Sequence, residues 1–183
     1  MSASTPPPLI TTERTTLRLP APDDAEFFLE LLNDPEFIRF TGDREIRDLT
    51  GARGYVTERL LPAHATHGFT LYVVESRETH QPLGINGLVR RDYLDAPDIG
   101  FGFLARHCDQ GIGHETSVAV MDYAQSTLAQ HVIYGITRPD NTRSIRLLER
   151  LGLKHNRTQT LPGLDAPQLI YRTPDPNQRS LST

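Results

Sequence analysis

The 183-residue sequence has one cysteine, no tryptophan, two methionines and no long apolar run. A lone cysteine forms neither an internal disulfide nor a four-cysteine zinc site, so the sequence excludes a disulfide-stapled scaffold and a zinc site of that type. No apolar stretch approaches the roughly 20 residues that span a bilayer, so no membrane partner is expected. The formal charge is −4, and the chain therefore lacks the positive field that drives nucleic-acid binding.

Hydrophobic residues make up 37% of the chain and charged residues 23%, which is typical of one soluble globular domain. Proline, serine and threonine concentrate at the two ends, which predicts flexible tails over 1–11 and 174–183 around a single domain over 12–173. The first residues lack the basic and apolar regions of a signal peptide. A cytoplasmic location is therefore expected.

Alternating residues predict strands, and apolar residues spaced three or four apart predict helices. Strands are predicted at 15–19, 69–75, 83–90, 98–104, 132–137 and 168–173, and helices after Pro22, at 48–65, around 118–128 and around 145–151. Pro35 is interpreted as ending the first helix, and 37–48 as a loop. The order β-α-α-β-β-β-α-β-α-β, with a further strand at 153–158, predicts an α+β domain whose mixed sheet is covered by helices.

A glycine-containing loop lies between the fourth predicted strand and the helix after it. It consists of Gln110, Gly111, Ile112, Gly113, His114 and Glu115. Glycines let a ligand approach the backbone, and a helix start adds unpaired N–H groups and a positive dipole end. The loop is therefore either an anion site suited to a pyrophosphate or an ordinary turn.

A second motif follows one helix and one strand later. Asn141 precedes the helix that contains Ser144 and that ends before Gly152. Asn141 by itself is typical of a helix N-cap, and Ser144 by itself of a solvent-facing helix residue. The pair is informative because it follows the glycine loop at a spacing of one helix and one strand.

Together these segments resemble the GNAT superfamily of acyl-CoA-dependent N-acetyltransferases, and within it the ribosomal-protein N-terminal acetyltransferase (RimJ/RimL-like) branch. The resemblance rests on the Gln110–Glu115 loop, on Asp98-Ile99-Gly100-Phe101 in the preceding strand, and on the Asn141-x-x-Ser144 helix ending in Gly152-Leu153. It implies the GNAT fold, with a mixed, mostly antiparallel sheet of about seven strands flanked by helices. It also implies acetyl transfer from acetyl-CoA to a primary amine, with no metal.

The resemblance also implies roles for individual residues. Ser144 is the candidate that stabilises the departing thiolate, Asn141 orients the cofactor or the helix start, and Asp98 is the candidate base, directly or through water. An oxyanion donor is expected in the backbone of Phe103, Leu104 and Ala105, and Leu104 and Ala105 are expected to pair with the pantetheine arm. N–H groups from Ile112 to Glu115 are expected to hold the pyrophosphate, and Arg143 or Arg146 to reach the 3′-phosphate.

Two departures from the family pattern bear on function. Glu115 replaces a glycine or alanine beside the pyrophosphate, where its carboxylate repels the ligand unless the side chain turns away. Leu148 stands where many relatives carry a tyrosine acid, which favours the branch that uses the helix serine. These departures also fit an alternative, a non-catalytic acyl-CoA-binding regulatory module.

The acetyl acceptor stays open between a protein N-terminus and a small amine, and a homodimer is also left open. Two loops, 37–48 and 93–98, are predicted to shape the acceptor pocket. Five acidic residues fall in or beside them and favour a cationic amine: Asp43, Asp48, Asp92, Asp95 and Asp98. A Cys108–His107 nucleophile is disfavoured because neighbouring strand residues point to opposite faces. His64 and His67 lack a third metal ligand, so no metal site is expected.

Overall fold

Eight strands form a single sheet in the computed structural model, which describes residues 6–174. They are β1 (Pro8–Thr11), β2 (Thr15–Arg18), β3 (Leu71–Ser76), β4 (Pro82–Val89), β5 (Asp98–Phe103), β6 (Tyr134–Thr137), β7 (Lys154–Thr160) and β8 (Pro167–Arg172). Their order in space is β1-β2-β3-β4-β5-β6-β8-β7. Every neighbouring pair is antiparallel except β5 and β6. The predicted mixed, mostly antiparallel sheet is confirmed, with eight strands instead of about seven.

Six α-helices cover the sheet in the same part of the chain. They are α1 (Ala25–Asn33), α2 (Pro35–Thr41), α3 (Leu49–Tyr55), α4 (Leu61–His67), α5 (Ile112–Ser126) and α6 (Thr142–Arg150). A π-helical turn at Val56–Leu60 joins α3 to α4, and short 3-10 turns lie at Pro22–Asp24 and Ala105–His107. None of these helices is long and apolar enough to cross a membrane.

The sheet has a separate hydrophobic core on each face. On one face, Val120 and Met121 of α5 and Leu148 of α6 pack against Tyr72 and Ile99 of the sheet. On the other, α1 and α3 pack against the strands through a second cluster that includes Phe28, Leu31, Val56, Val73 and Ile85. Adjacent residues of β3, such as Tyr72 and Val73, therefore serve opposite cores, as the alternation of a strand requires.

The structure corrects the predicted N-terminal tail. Pro8–Thr11 pairs with β2 as an antiparallel strand, and Ile10 is buried in the core, so the flexible segment does not extend to residue 11. The reason is the tight turn between the two strands, in which the N–H of Thr12 donates to the carbonyl of Thr15 over 2.9 Å. Residues 1–5 and 175–183 lie outside the described residues; they hold five of the eleven residues of the predicted N-terminal tail and nine of the ten of the predicted C-terminal tail.

Helix α2 is a second correction, because it lies in the predicted loop. The side chain of Asp34 accepts hydrogen bonds from the N–H groups of Glu36 and Phe37 and so caps the helix. Pro35 occupies the first helical position, where its missing N–H costs nothing. The proline that ends α1 therefore also starts α2.

A buried guanidinium links the sheet to the start of α1. Arg18 binds both carboxylate oxygens of Asp24 at 2.8 Å and Glu75 at 2.9 Å, and all three side chains are nearly inaccessible to solvent. We expect Arg18→Leu to lower the free energy of unfolding by about 3–5 kcal/mol, because two buried carboxylates lose their partner. Urea unfolding measures the change.

The control for this prediction is Arg39→Leu. Arg39 pairs with Asp140 at 3.3 Å, and both side chains are exposed. Removal of an exposed pair is expected to cost at most about 1 kcal/mol. Equal losses in the two variants would contradict a dominant role for the buried network.

Candidate functional site

The sheet has a gap between its two parallel strands. β5 and β6 pair only where Asp98 lies opposite Tyr134, and the N–H of Tyr134 donates to the carbonyl of Pro97 over 2.9 Å. Beyond that point, toward Phe103 and Thr137, neither strand has a ladder partner in the other. We call this space the β5–β6 gap.

The register of β4 and β5 decides which backbone groups point into the gap. The N–H of Leu104 donates to the carbonyl of Leu83 on the β4 side over 3.1 Å. Backbone groups alternate in direction along a strand, so the N–H and C=O of Phe101 and Phe103 point away from β4. These groups are therefore available to an extended ligand that carries amides of its own.

The same register corrects the expectation for Leu104. Its N–H is taken by Leu83, and its C=O accepts from the N–H of His107 over 2.8 Å. The C=O of Ala105 likewise accepts from Cys108 over 3.2 Å in the turn after β5. Of the three predicted residues, Phe103 keeps its N–H free, and its C=O receives only a long contact of 3.9 Å from the Cys108 thiol. Ala105 keeps its N–H, and Leu104 keeps neither group.

The glycine loop turns into α5 beside the C-terminal end of β5. Gly111 precedes the helix at a φ of 78°, a left-handed conformation that favours glycine. The N–H groups of Ile112, Gly113 and His114 have no hydrogen-bond acceptor among residues 6–174, whereas the N–H of Glu115 donates to the carbonyl of Gly111 over 3.0 Å. The predicted set of four amides therefore reduces to three.

The side chain of Glu115 turns away from these amides. One carboxylate oxygen accepts from Thr12 Oγ1 at 2.6 Å and from the N–H of Arg14 at 3.0 Å, and the other accepts from Arg14 Nε at 2.6 Å. Burial opposes ionisation, but these hydrogen bonds keep the pKa of Glu115 below its ordinary value. The carboxylate is therefore ionised and paired. Burial lowers the pKa of His114, so its imidazole adds no positive charge at neutral pH.

Helix α6 brings Asn141 and Ser144 to the same end of the gap. Asn141 Oδ1 accepts from the N–H of Ser144 over 3.1 Å, which is the predicted N-cap. Ser144 is only 8% exposed, and its hydroxyl has no hydrogen-bond partner among the described residues. The ring of Phe103 and the side chain of Leu147 lie on either side of Gly113, so α5, α6 and β5 converge here.

Arg143 has partners that differ from the predicted one. Its guanidinium lies 3.1 Å from Glu36 of α2 and 3.1 Å from Asp109, the residue before the glycine loop. A Cβ built on Gly102 would lie 2.5 Å from the ring of Phe37, so α2 also packs directly against β5. Arg143 thus links α6 to α2 and to the segment before the loop, and the two carboxylates compete with a 3′-phosphate for its guanidinium.

Asp98 lies at the closed end of the gap and is 3% exposed. Burial raises the pKa of its carboxyl, although Arg91 Nε donates to it over 3.0 Å. Phe101 is three residues further along β5, roughly 10 Å, and Phe103 five residues, roughly 17 Å. These separations contradict direct contact between Asp98 and a group bound at Phe103.

Sequence reasoning missed three features of this site. The backbone of Phe101 faces the gap, which alternation from Leu104 could have indicated. Thr137 ends β6 with a buried hydroxyl that has no hydrogen-bond partner. Arg14 lies 96 residues before Gln110, yet its Nη1 donates to the carbonyl of Gln110 over 2.9 Å. No local pattern marks the last two.

Other candidate groups are accounted for by internal contacts. Burial raises the pKa of the half-buried Cys108 thiol, so its thiolate is disfavoured. Leu148 is fully buried against Gly135. The part of the chain that the structure describes contains no cluster of side chains suited to a metal ion. Among the acidic residues of the predicted acceptor loops, Asp43 pairs with Arg47, Asp48 caps α3, and Asp98 pairs with Arg91.

Comparison with known proteins gives a family and a fold. The family described as an acetyltransferase (GNAT) domain matches residues 14–154. The uncharacterized N-acetyltransferase p20 of Bacillus licheniformis is 27% identical over 146 residues, which cover 78% of this chain and 80% of that protein.

Two solved structures share the fold. The ribosomal-protein-S5-alanine acetyltransferase of Vibrio fischeri has a TM-score of 0.74 and 17% identity, over 89% of this chain and 94% of its own. AAC(6')-Ib in complex with paromomycin and acetyl-CoA has a TM-score of 0.71 and 20% identity, over 93% of this chain and 99% of its own.

Proposed function

Because the chain belongs to the GNAT acetyltransferase family, we propose that it moves an acetyl group from acetyl-CoA to a primary amine. The observation that carries this proposal is the pair of unsatisfied backbone segments at one end of the sheet. Phe101 and Phe103 offer N–H and C=O groups in the β5–β6 gap, and the amides of residues 112–114 lie at its open end.

This arrangement suits the two chemically different parts of acetyl-CoA. The pantetheine arm carries amides and pairs with Phe103 and the N–H of Ala105 as an added strand would. The pyrophosphate is anionic and fits the unpaired N–H groups and the positive end of α5. The amide nitrogen of Asn141, which has no partner among the described residues, is available to the cofactor.

The thioester supplies an activated acetyl group, and the residues of this chain assist its transfer. The neutral amine attacks the carbonyl carbon, the carbon–sulfur bond breaks, and the sulfur leaves as a thiolate. A backbone N–H of β5 donates to the oxyanion, and the hydroxyl of Ser144 donates to the thiolate. The amine proton passes to solvent water and reaches Asp98 only through a chain of several water molecules, because Asp98 lies three residues before Phe101 and pairs with Arg91.

The acceptor is a protein N-terminus or a small amine. The likeness to a ribosomal-protein acetyltransferase supports the first and the likeness to an aminoglycoside-bound enzyme the second, at the level of fold. The acidic residues that favoured a cationic acceptor are partly neutralised, because three of them are engaged by arginine or by a helix start. The acidic residues of the acceptor loops therefore favour a cationic amine less strongly than the sequence alone indicated.

The test is release of free CoA, followed with a thiol reagent, from acetyl-CoA and a panel of amines. The panel contains alanine- and serine-initiated peptides, polyamines, aminoglycosides and amino acids. We expect turnover with at least one class, and mass spectrometry should find the acetyl group on nitrogen. Calorimetric binding of acetyl-CoA without turnover across the panel would instead favour the regulatory module. The structure gives that alternative little support, since Glu115 is turned aside and Leu148 serves the core.

A further inference from the structure

Arg14 joins the first hairpin of the chain to the glycine loop. It lies in the turn between β1 and β2, and its side chain is about half exposed, at 47%. The turn itself is fixed, because Arg77 Nη1 donates to the carbonyls of Thr12 and Glu13 at 3.0 and 2.9 Å. The guanidinium is therefore held from a rigid base and not from a freely moving end of the chain.

Four hydrogen bonds connect this turn to the glycine loop and the start of α5. Thr12 Oγ1 and the N–H of Arg14 donate to one carboxylate oxygen of Glu115, Arg14 Nε donates to the other, and Arg14 Nη1 donates to the carbonyl of Gln110. A Cβ built on Gly111 would lie 3.4 Å from Arg14 Nη2, so the positive charge lies directly beside the loop. Nη2 has no hydrogen-bond partner among residues 6–174.

The charges here matter because Glu115 stands in the first turn of α5. A carboxylate at that position interacts with the positive end of the helix and so reduces the positive potential at the pyrophosphate site. It also repels a second anion within a few ångströms. An arginine in direct contact with the carboxylate cancels both effects at the loop.

We infer that Arg14 is a positioning residue for the acetyl-CoA loop, acting by neutralising Glu115 so that the amides of residues 112–114 face the pyrophosphate in a positive field. This inference rests on the proposed function, since it assumes that acetyl-CoA binds there. It assigns a role in cofactor binding to a residue of the β1–β2 turn. It also accounts for a glutamate at a position where the resemblance to the family leads one to expect glycine or alanine.

A double-mutant cycle tests the inference by calorimetric titration of CoA. We expect Arg14→Met to weaken CoA binding ten-fold or more, and Arg14→Lys to retain most of the affinity. Glu115→Gln alone should bind CoA as tightly as the wild type or more tightly. The Arg14→Met/Glu115→Gln double variant should return to within about three-fold of the wild type.

Recovery of CoA affinity in the double variant distinguishes two roles for Arg14, namely neutralising the charge of Glu115 and holding the loop in place as a purely structural brace. A structural brace is broken as fully in the double variant as in Arg14→Met, so unrecovered affinity would overturn the inference. As a second readout, kcat/KM for S-acetylpantetheine, which lacks the pyrophosphate, should be unchanged in Arg14→Met. Circular dichroism confirms that each variant is folded. If the wild type itself does not bind CoA, the proposed function fails; if Arg14→Met binds CoA as the wild type does, only this inference fails.

Discussion

Replacement of Gly113 by valine is expected to abolish acetyl-CoA binding while leaving the fold intact. A Cβ built on Gly113 lies 3.5 Å from the ring of Phe103 and 3.9 Å from Leu147, which is ordinary van der Waals contact. The protein therefore accommodates the first carbon, but the two methyl groups of valine project between β5 and α6 at the open end of the gap. We expect them to displace the ring of Phe103, whose backbone is proposed to pair with the pantetheine arm, and to crowd the amides of the loop.

Calorimetry with CoA should show at least a hundred-fold loss of affinity for Gly113→Val and a smaller loss for Gly113→Ala. The matched control is Gly54→Val, because Gly54 is also helical, lies in α3, and has only the Glu58 side chain near its built Cβ. Gly111 is unsuitable for this comparison, since its φ of 78° strains any larger residue. Wild-type affinity in Gly113→Val would mean that acetyl-CoA does not bind beside Gly113 at the open end of the β5–β6 gap.

Local signals in the sequence were sufficient for the elements that frame the site. The pattern of β5, the glycine before α5 and the asparagine before α6 each act through contacts within a few residues. The helix cap from Asn141 to Ser144 spans three residues, which is why an Asn-x-x-Ser pattern predicts it. Such features depend little on the rest of the fold.

Features that depend on register or on distant pairing were not predictable in the same way. The hydrogen bond from the N–H of Leu104 to Leu83 fixes the register of β5. In this register the backbone groups of Phe101 face the gap and those of Leu104 do not, and a register shift of one residue would reverse the two directions. The pairing of Arg14 with Glu115 crosses 101 residues of sequence, and only the packing of β1 and β2 against α5 creates it. The sequence could therefore identify Glu115 as a departure from the family pattern, but it could not identify Arg14 as the partner of Glu115.

Helix α2 was not predictable for a different reason, because the same local sequence is compatible with the end of one helix and with the start of another. Pro35 ends a helix and, after an Asp such as Asp34, also begins one. Its short length and its lack of fully buried residues leave no strong apolar period to decide between them. The contacts that hold α2, from Phe37 to Gly102 and from Glu36 to Arg143, are tertiary.

Replacement of Ser144 by alanine is expected to lower kcat ten-fold or more without changing the affinity for acetyl-CoA. The cap of α6 uses the N–H of Ser144 and not its hydroxyl, so the substitution breaks no hydrogen bond within the described part of the protein. Ser144 as a residue is only 8% exposed, which limits the access of bulk water as a substitute donor for the thiolate. An interaction made only as the thiolate departs affects turnover and not ground-state binding.

The measurement is CoA release at saturating acetyl-CoA and acceptor, together with calorimetry for acetyl-CoA alone. Ser126→Ala serves as the control, because Ser126 ends α5, is exposed and bonds only locally to Asp122 and Thr127. Asn141→Ala should differ from Ser144→Ala by losing about 1 kcal/mol of stability along with activity, since it removes the helix cap. If Ser144→Ala turns over as fast as the wild type, another group donates to the thiolate. Thr137, whose hydroxyl is buried without a hydrogen-bond partner, is then the first residue to replace.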